Sequence, residues 1–104
     1  MTTVERYVEF YTCLMPKAQA FLAALYRSRD SGPLTRAAAM AALGTSIART
    51  VGRHVGSIAR WAPVRGIPVP FEETKADGAL AWAWTGDADW CAAMEHVRAE
   101  RVPL

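Results

Sequence analysis

A mostly α-helical chain with one small β-hairpin is predicted by three observations. Apolar residues recur at helical spacing over both ends of the sequence. The Ala-rich, Arg-rich stretch from Leu34 to Pro63 is divided by Gly44. Asp77-Gly78, the strongest short hairpin-turn signal, stands between two strand-like runs. At 104 residues there is room for one core and not for two.

Taken in order, the first helix spans about residues 3–14, with Val4, Tyr7, Val8, Tyr11 and Leu14 on one stripe. Pro16 ends it and is well placed to start a second helix, residues 16–28, whose Ala20, Phe21, Ala24 and Leu25 turn inward. Asp30-Ser-Gly-Pro33 is a turn by composition and chemistry. Thr35 can cap a third helix, alanines propagate it, and Gly44 stops it. Ser46 can cap a fourth, which runs until Pro63 forbids it. Two helices joined by about three residues around a glycine form a helix-turn-helix, here about residues 35–62. Residues 64–70 are extended because two prolines exclude helix, and a hairpin follows over about residues 67–85. Period-two alternation puts Leu80, Trp82 and Trp84 on one face, a cover for the helical core. A last helix from about Asp87 to Arg101, capped by Asp87 or Asp89, carries Trp90, Met94 and Val97 as its stripe. Helix, helix, helix-turn-helix, hairpin, helix is the order of a single winged helix-turn-helix domain over residues 1–104, with the hairpin as wing.

The fourth helix carries the functional signal. At 100° per residue, Ile47, Ala48, Val51, Val55, Ile58, Ala59 and Ala62 form its core side. Ser46, Arg49, Thr50, Arg53, Ser57 and Arg60 form the other, without a carboxylate. A solvated helix usually mixes signs, whereas arginines separated by short hydroxyls suit a phosphate-lined groove. The wider charge pattern agrees. Residues 27–65 hold seven arginines against Asp30 alone, +6, while residues 66–104 hold three cations against seven carboxylates, −4. Arg49 and Arg53 are therefore the expected base readers, and Arg36, Thr45 and Ser46 the expected phosphate holders near helix N-termini. Arg60 should add charge rather than specificity.

Enzymatic chemistry lacks an inventory. Glu72 and Glu73 are neighbours in a strand and point to opposite faces, and Asp87 and Asp89 are explained by capping. His54, at the margin of the arginine face, is read as a phosphate contact or plainly exposed rather than catalytic, and His96 has no ligand spacing to either cysteine. Cys13 and Cys91 lack metal-ligand spacing and are expected to be buried, inert thiols of a reducing cytoplasm. Gly52-x-x-x-Gly56 gives a smooth helix surface expected to pack closely against a neighbouring helix. No apolar run is long enough to span a membrane, and the N-terminus lacks the order of a signal peptide, so a cytoplasmic protein is expected. No cofactor, metal or small-molecule substrate is indicated.

Two resemblances add to this. Phe10-Tyr11, the Ala42-Leu43-Gly44 turn and the Trp82 and Trp84 strand resemble the short winged helix-turn-helix proteins of GC-rich bacteria, which implies DNA binding in transcription control. Residues 35–52 are similar to the DNA-binding segment of alkyltransferase-like proteins: Thr35, Gly44 nine positions on, then Ala48-Arg49-Thr50-Val51-Gly52. That likeness implies a groove-facing Arg49. Arg36 stands where an aromatic belongs, and the Pro-Cys-His-Arg or Pro-Trp-His-Arg motif is missing, the nearest segment being Pro70-Phe71-Glu72-Glu73. No alkyl transfer is implied.

The sequence thus predicts a small transcriptional regulator that binds double-stranded DNA sequence-specifically. A homodimer is expected, with Tyr7, Tyr11 and Leu14 of the first helix and Trp90, Met94 and Val97 of the last as its interface. The acidic hairpin Glu72–Asp77, net −2, keeps a second class open: a winged-helix protein-interaction module, phage- or plasmid-encoded or an assembly factor.

Overall fold

Thr2 and Glu5 close a reciprocal capping box that starts α1 (Thr3–Thr12): the Thr2 hydroxyl accepts from Glu5 N–H at 3.1 Å, and Glu5 accepts from Thr2 N–H at 3.2 Å. The structure, a computed structural model, describes residues 1–100, so Arg101 of the expected last helix lies outside the described residues. Pro16 occupies the first turn of α2 (Pro16–Arg27), where its missing N–H costs nothing. The chain continues through β1 (Leu34–Thr35), α3 (Arg36–Leu43), α4 (Ala48–Val64), β2 (Phe71–Ala76), β3 (Ala79–Trp84) and α5 (Ala88–Glu100). Among the described residues the chain is thus mostly helical, with five helices and a three-stranded antiparallel sheet in the order β1-β3-β2.

Thr35 caps α3 as expected, accepting from Ala38 N–H at 3.1 Å, and Gly44 ends that helix with φ 68°. The same Thr35 also belongs to an unexpected strand. Leu34 pairs with Trp82 and Thr35 with Ala81, so the third helix is tied to the sheet by its first turn. The hairpin lies where Asp77-Gly78 puts it, both residues at positive φ, 53° and 77°, as the right-handed twist of the strands favours.

Four local expectations for α4 are corrected. Ser46 is not its cap: Ile47 holds that position, and it is Thr45 whose hydroxyl accepts, from Ile47 N–H at 3.1 Å. Ile47, being outside the helix, leaves the core stripe and is 59% exposed. Pro63 does not stop the helix either. It sits in the last turn, and the stop is Gly66 at φ 69°, where Ile67 N–H reaches Ala62 C=O at 2.8 Å and Gly66 N–H reaches Pro63 C=O at 2.9 Å. Val51, Val55, Ile58 and Ala62 do form the buried stripe, while Ala48 and Ala59 are exposed. Gly52 and Gly56 are exposed too, and a Cβ on either meets nothing within 4 Å, so no neighbouring helix packs there.

The core is aromatic. Phe21, fully buried, takes the edges of Phe71 at 5.4 Å and Trp82 at 5.3 Å. A second group joins the ends of the chain: Trp90 stacks on Tyr7 at 4.8 Å and meets Phe10 and Trp84 edge-on, each at 6.3 Å. Trp90 N–H of the indole donates to Pro68 C=O at 2.8 Å, and its backbone N–H to the capping carboxylate of Asp87 at 2.9 Å. Tyr26 donates its hydroxyl to Glu95 at 2.7 Å; burial, and then that hydrogen bond, push its pKa up to about 12. The tryptophans of β3 therefore cover the helices, as expected, although Leu80 lies past the core and is exposed.

This packing removes the interface expected on the terminal helices. Tyr7, Tyr11, Trp90, Met94 and Val97 are buried in the chain's own core, and only Leu14 keeps part of its surface. Each helix stripe needs an apolar cover, and α1 and α5 supply it to each other. Cys13 is exposed and Cys91 half-buried, rather than both buried. Among the described residues, no helix is long and apolar enough to cross a membrane.

Glycines at two places should respond oppositely to alanine. A Cβ on Gly86 would meet Trp84 Cζ2, lie 2.6 Å from Trp84 Cε2 and 2.9 Å from Trp90 Cβ. Gly86→Ala should therefore cost about 1–3 kcal/mol through overpacking, whereas Gly52→Ala and Gly56→Ala should each add roughly 0.5–1 kcal/mol by favouring helix. Urea unfolding followed by circular dichroism measures both; a neutral Gly86→Ala would show that the Trp84 seat is loose.

Candidate functional site

The outward side of α4 can be traced around the helix at about 100° per residue. One flank is the smooth run Gly52, Gly56 and Ala59, which with Val69, Phe71, Glu72, Glu73, Leu80 and Trp82 borders an open groove of about 380 Å³. The crest carries Arg49, Arg53 and Arg60, all exposed. The opposite flank carries Ser57 and His54, both half-buried, and faces the start of α2. Thr45 and Thr50 are half-buried and Ser46 exposed near the N-terminal end of α4.

Among the described residues, Arg36, Arg49 and Arg53 make no hydrogen bond and no ion pair, and Arg60 lies over the Trp61 ring at 5.4 Å. Among the described residues, the contacts of basic side chains with carboxylates, His96–Glu100 at 3.0 Å and Arg98–Glu95 at 3.9 Å, are both on α5. The segregation of charge in the sequence thus persists in three dimensions: no carboxylate neutralises the crest. Arg36 differs from the others. It opens α3 beside β1, and among the described residues no hydrogen bond joins it to the α4 crest.

Lys17 was not expected. It reaches across from the first turn of α2, donating to Leu43 C=O at 2.9 Å, and lines the same cleft as Arg53, His54 and Ser57. Its signal in the sequence was a cation at a helix start, where the macrodipole disfavours it; α2, α3 and α4 all lack an acidic residue in their first turns. Burial, and then the positive charges of Arg53 and Lys17, hold His54 below the ordinary imidazole value. Among the described residues, no cluster of His, Cys, Asp or Glu could hold a metal ion.

Comparison with protein families, with characterised proteins and with solved structures gave no match.

Because its folded pKa is depressed, His54 favours the fold in its neutral form. Its contribution is complete above the unfolded value, 6.5, and is lost as pH falls through the lower folded value. The protein should therefore be less stable in urea at about pH 5.5 than at about pH 7, and His54→Gln should shrink that difference. An undiminished difference would assign the acid sensitivity to other groups.

Proposed function

We propose that the chain is a winged helix-turn-helix domain that binds double-stranded DNA sequence-specifically and serves as a small cytoplasmic transcriptional regulator. The observation that carries this is the crest of α4, whose arginines are exposed, unpaired and unaccompanied by any carboxylate. The order β1, α3, α4, β2, β3 with sheet order β1-β3-β2 also supports it, since it frames α3 and α4 as a helix-turn-helix with the hairpin at its side. A major groove about 12 Å wide admits one helix, and the exposed outer face of α4 carries arginines without carboxylates. Arg49 and Arg53 near its N-terminal half are the base readers; Thr45, Ser46, Thr50, Ser57 and Arg60 contact the backbone. Arg36 contributes charge from the start of α3.

A second reading is favoured by the hairpin. Glu72, Glu73 and Asp77 are exposed and, among the described residues, unpaired, which would weaken contact with phosphates. In that reading the groove between the hairpin and α4 docks a basic protein segment, and the domain is an interaction module.

Fluorescence anisotropy with duplexes from the gene's own upstream region separates the two. Arg53→Ala should cost about 1–3 kcal/mol on the preferred site and relax one base position, while Arg60→Ala should weaken all sequences alike and flatten the salt slope. Retention on duplex that does not change with salt would overturn DNA binding and leave the interaction module.

A homodimer remains part of the proposal, because one helix contacts only a few base pairs. Its interface moves from the terminal helices to the exposed Met15, Trp61 and Val64, beside half-buried Leu14. Light scattering should give twice 11.4 kDa at micromolar concentration, falling to the single mass in Trp61→Glu with helicity kept. A single mass at every concentration, with and without duplex, would make the protein a monomer.

A further inference from the structure

A cleft of about 450 Å³ between the start of α2 and the middle of α4 is lined by Met15, Pro16, Lys17, Arg53, His54 and Ser57. Three of these six side chains are basic, one is a hydroxyl, and none is a carboxylate. Lys17 uses one of its three donors on Leu43 C=O; Arg53 donates to nothing among the described residues, and neither does the Ser57 hydroxyl. Lys17 and Arg53, like charges on one concavity, repel one another, and a bound anion relieves that repulsion.

We propose that this cleft binds a phosphate group, held by Lys17, Arg53 and His54 as cationic partners and by the Ser57 hydroxyl as a further donor. The start of α2 adds to the field: Met15 caps it without a side-chain acceptor, and no acidic residue lies in its first turn. His54 responds in the same direction. The two neighbouring cations that disfavour its proton would be offset by a phosphate, so the bound anion draws a proton onto the imidazole. The acidic hairpin lies on the far flank of α4, so the electrostatic field across this helix runs from repulsion at the wing to attraction at α2. A phosphodiester of a DNA strand and a small phosphomonoester share the recognised chemistry. Arg53 is common to this cleft and to the duplex face, but inorganic phosphate probes the cleft without any duplex.

The test follows the His54 imidazole by heteronuclear NMR while inorganic phosphate is added, with chloride at matched ionic strength as reference. A saturable phosphate-specific shift is expected, together with an upward move of the His54 titration. Lys17→Ala and Arg53→Ala should each weaken phosphate binding about tenfold, as loss of a charge-assisted hydrogen bond implies. Arg27→Ala, at the other end of α2, should not. Ser57→Ala, whose hydroxyl has no partner among the described residues, should weaken it without loss of stability and so guards against a Lys17 variant that merely unfolds. Competition by a short duplex would assign the phosphate to a DNA backbone, and competition by glycerol phosphate alone to a small ligand. Equal responses to phosphate and chloride, or phosphate binding that survives the Lys17→Ala, Arg53→Ala double variant, would overturn the cleft even if DNA binds. Phosphate binding without duplex binding would uphold the cleft and overturn the DNA reading.

Discussion

The indole of Trp90 is the contact on which the rest of this structure depends. It is completely buried, so its N–H must find an acceptor or leave a costly orphan donor. It finds Pro68 C=O in the extended segment between α4 and β2. That bond fixes where the chain turns out of α4 and into the hairpin. The ring stacks on Tyr7 of α1 and meets Phe10 of α1 and Trp84 of β3 edge-on, so one side chain joins the first and last helices to the sheet. The indole nitrogens of Trp82 and Trp84 are buried as well, but have no acceptor among the described residues. Trp90 is thus the tryptophan that gives orientation as well as volume.

Because the terminal helices cover each other, α4 has its outer side to itself. That side is poorly suited to stability. It has no i,i+4 pairs of opposite sign, three arginines that repel one another, and two exposed glycines within the helix. A helix under selection for stability alone would replace these with glutamate, lysine and alanine. Local choices that oppose the fold concentrate on one face, and that concentration is the ground on which the proposed function rests.

The two flanks of α4 differ in charge, and under the proposed function this sets how an anion would approach. Glu72 and Glu73 stand on one side, and Lys17, Arg53 and His54 on the other. A polyanion laid along the crest would be drawn toward α2 and away from the hairpin. The acidic hairpin, which as composition argues against a nucleic-acid partner, would under the proposed function be a flank that sets direction.

What could be read from residues alone was whatever short-range chemistry controls. Thr35 and Gly44 bound α3 because caps act over three or four residues, and Asp77-Gly78 made a hairpin because few other pairs tolerate two positive φ angles. The arginine face was legible from helical periodicity, and so was the charge asymmetry. What the tertiary structure decided depended on partners distant in sequence. Leu34-Thr35 is a strand only because β3 lies beside it, and two residues carry no periodicity. An apolar helix stripe states that it needs a cover, but not whose; α5 covers α1, and the expected dimer surface disappears into the core. Pro63 fits the last turn of α4 because that turn is closed by Gly66 and Ile67. Lys17 meets Arg53 only after α2 packs across α4, and that juxtaposition of cations has no local signature. Short-range preferences write the elements and the charged face; the choice of which faces meet belongs to packing, since hydrophobic burial is non-directional.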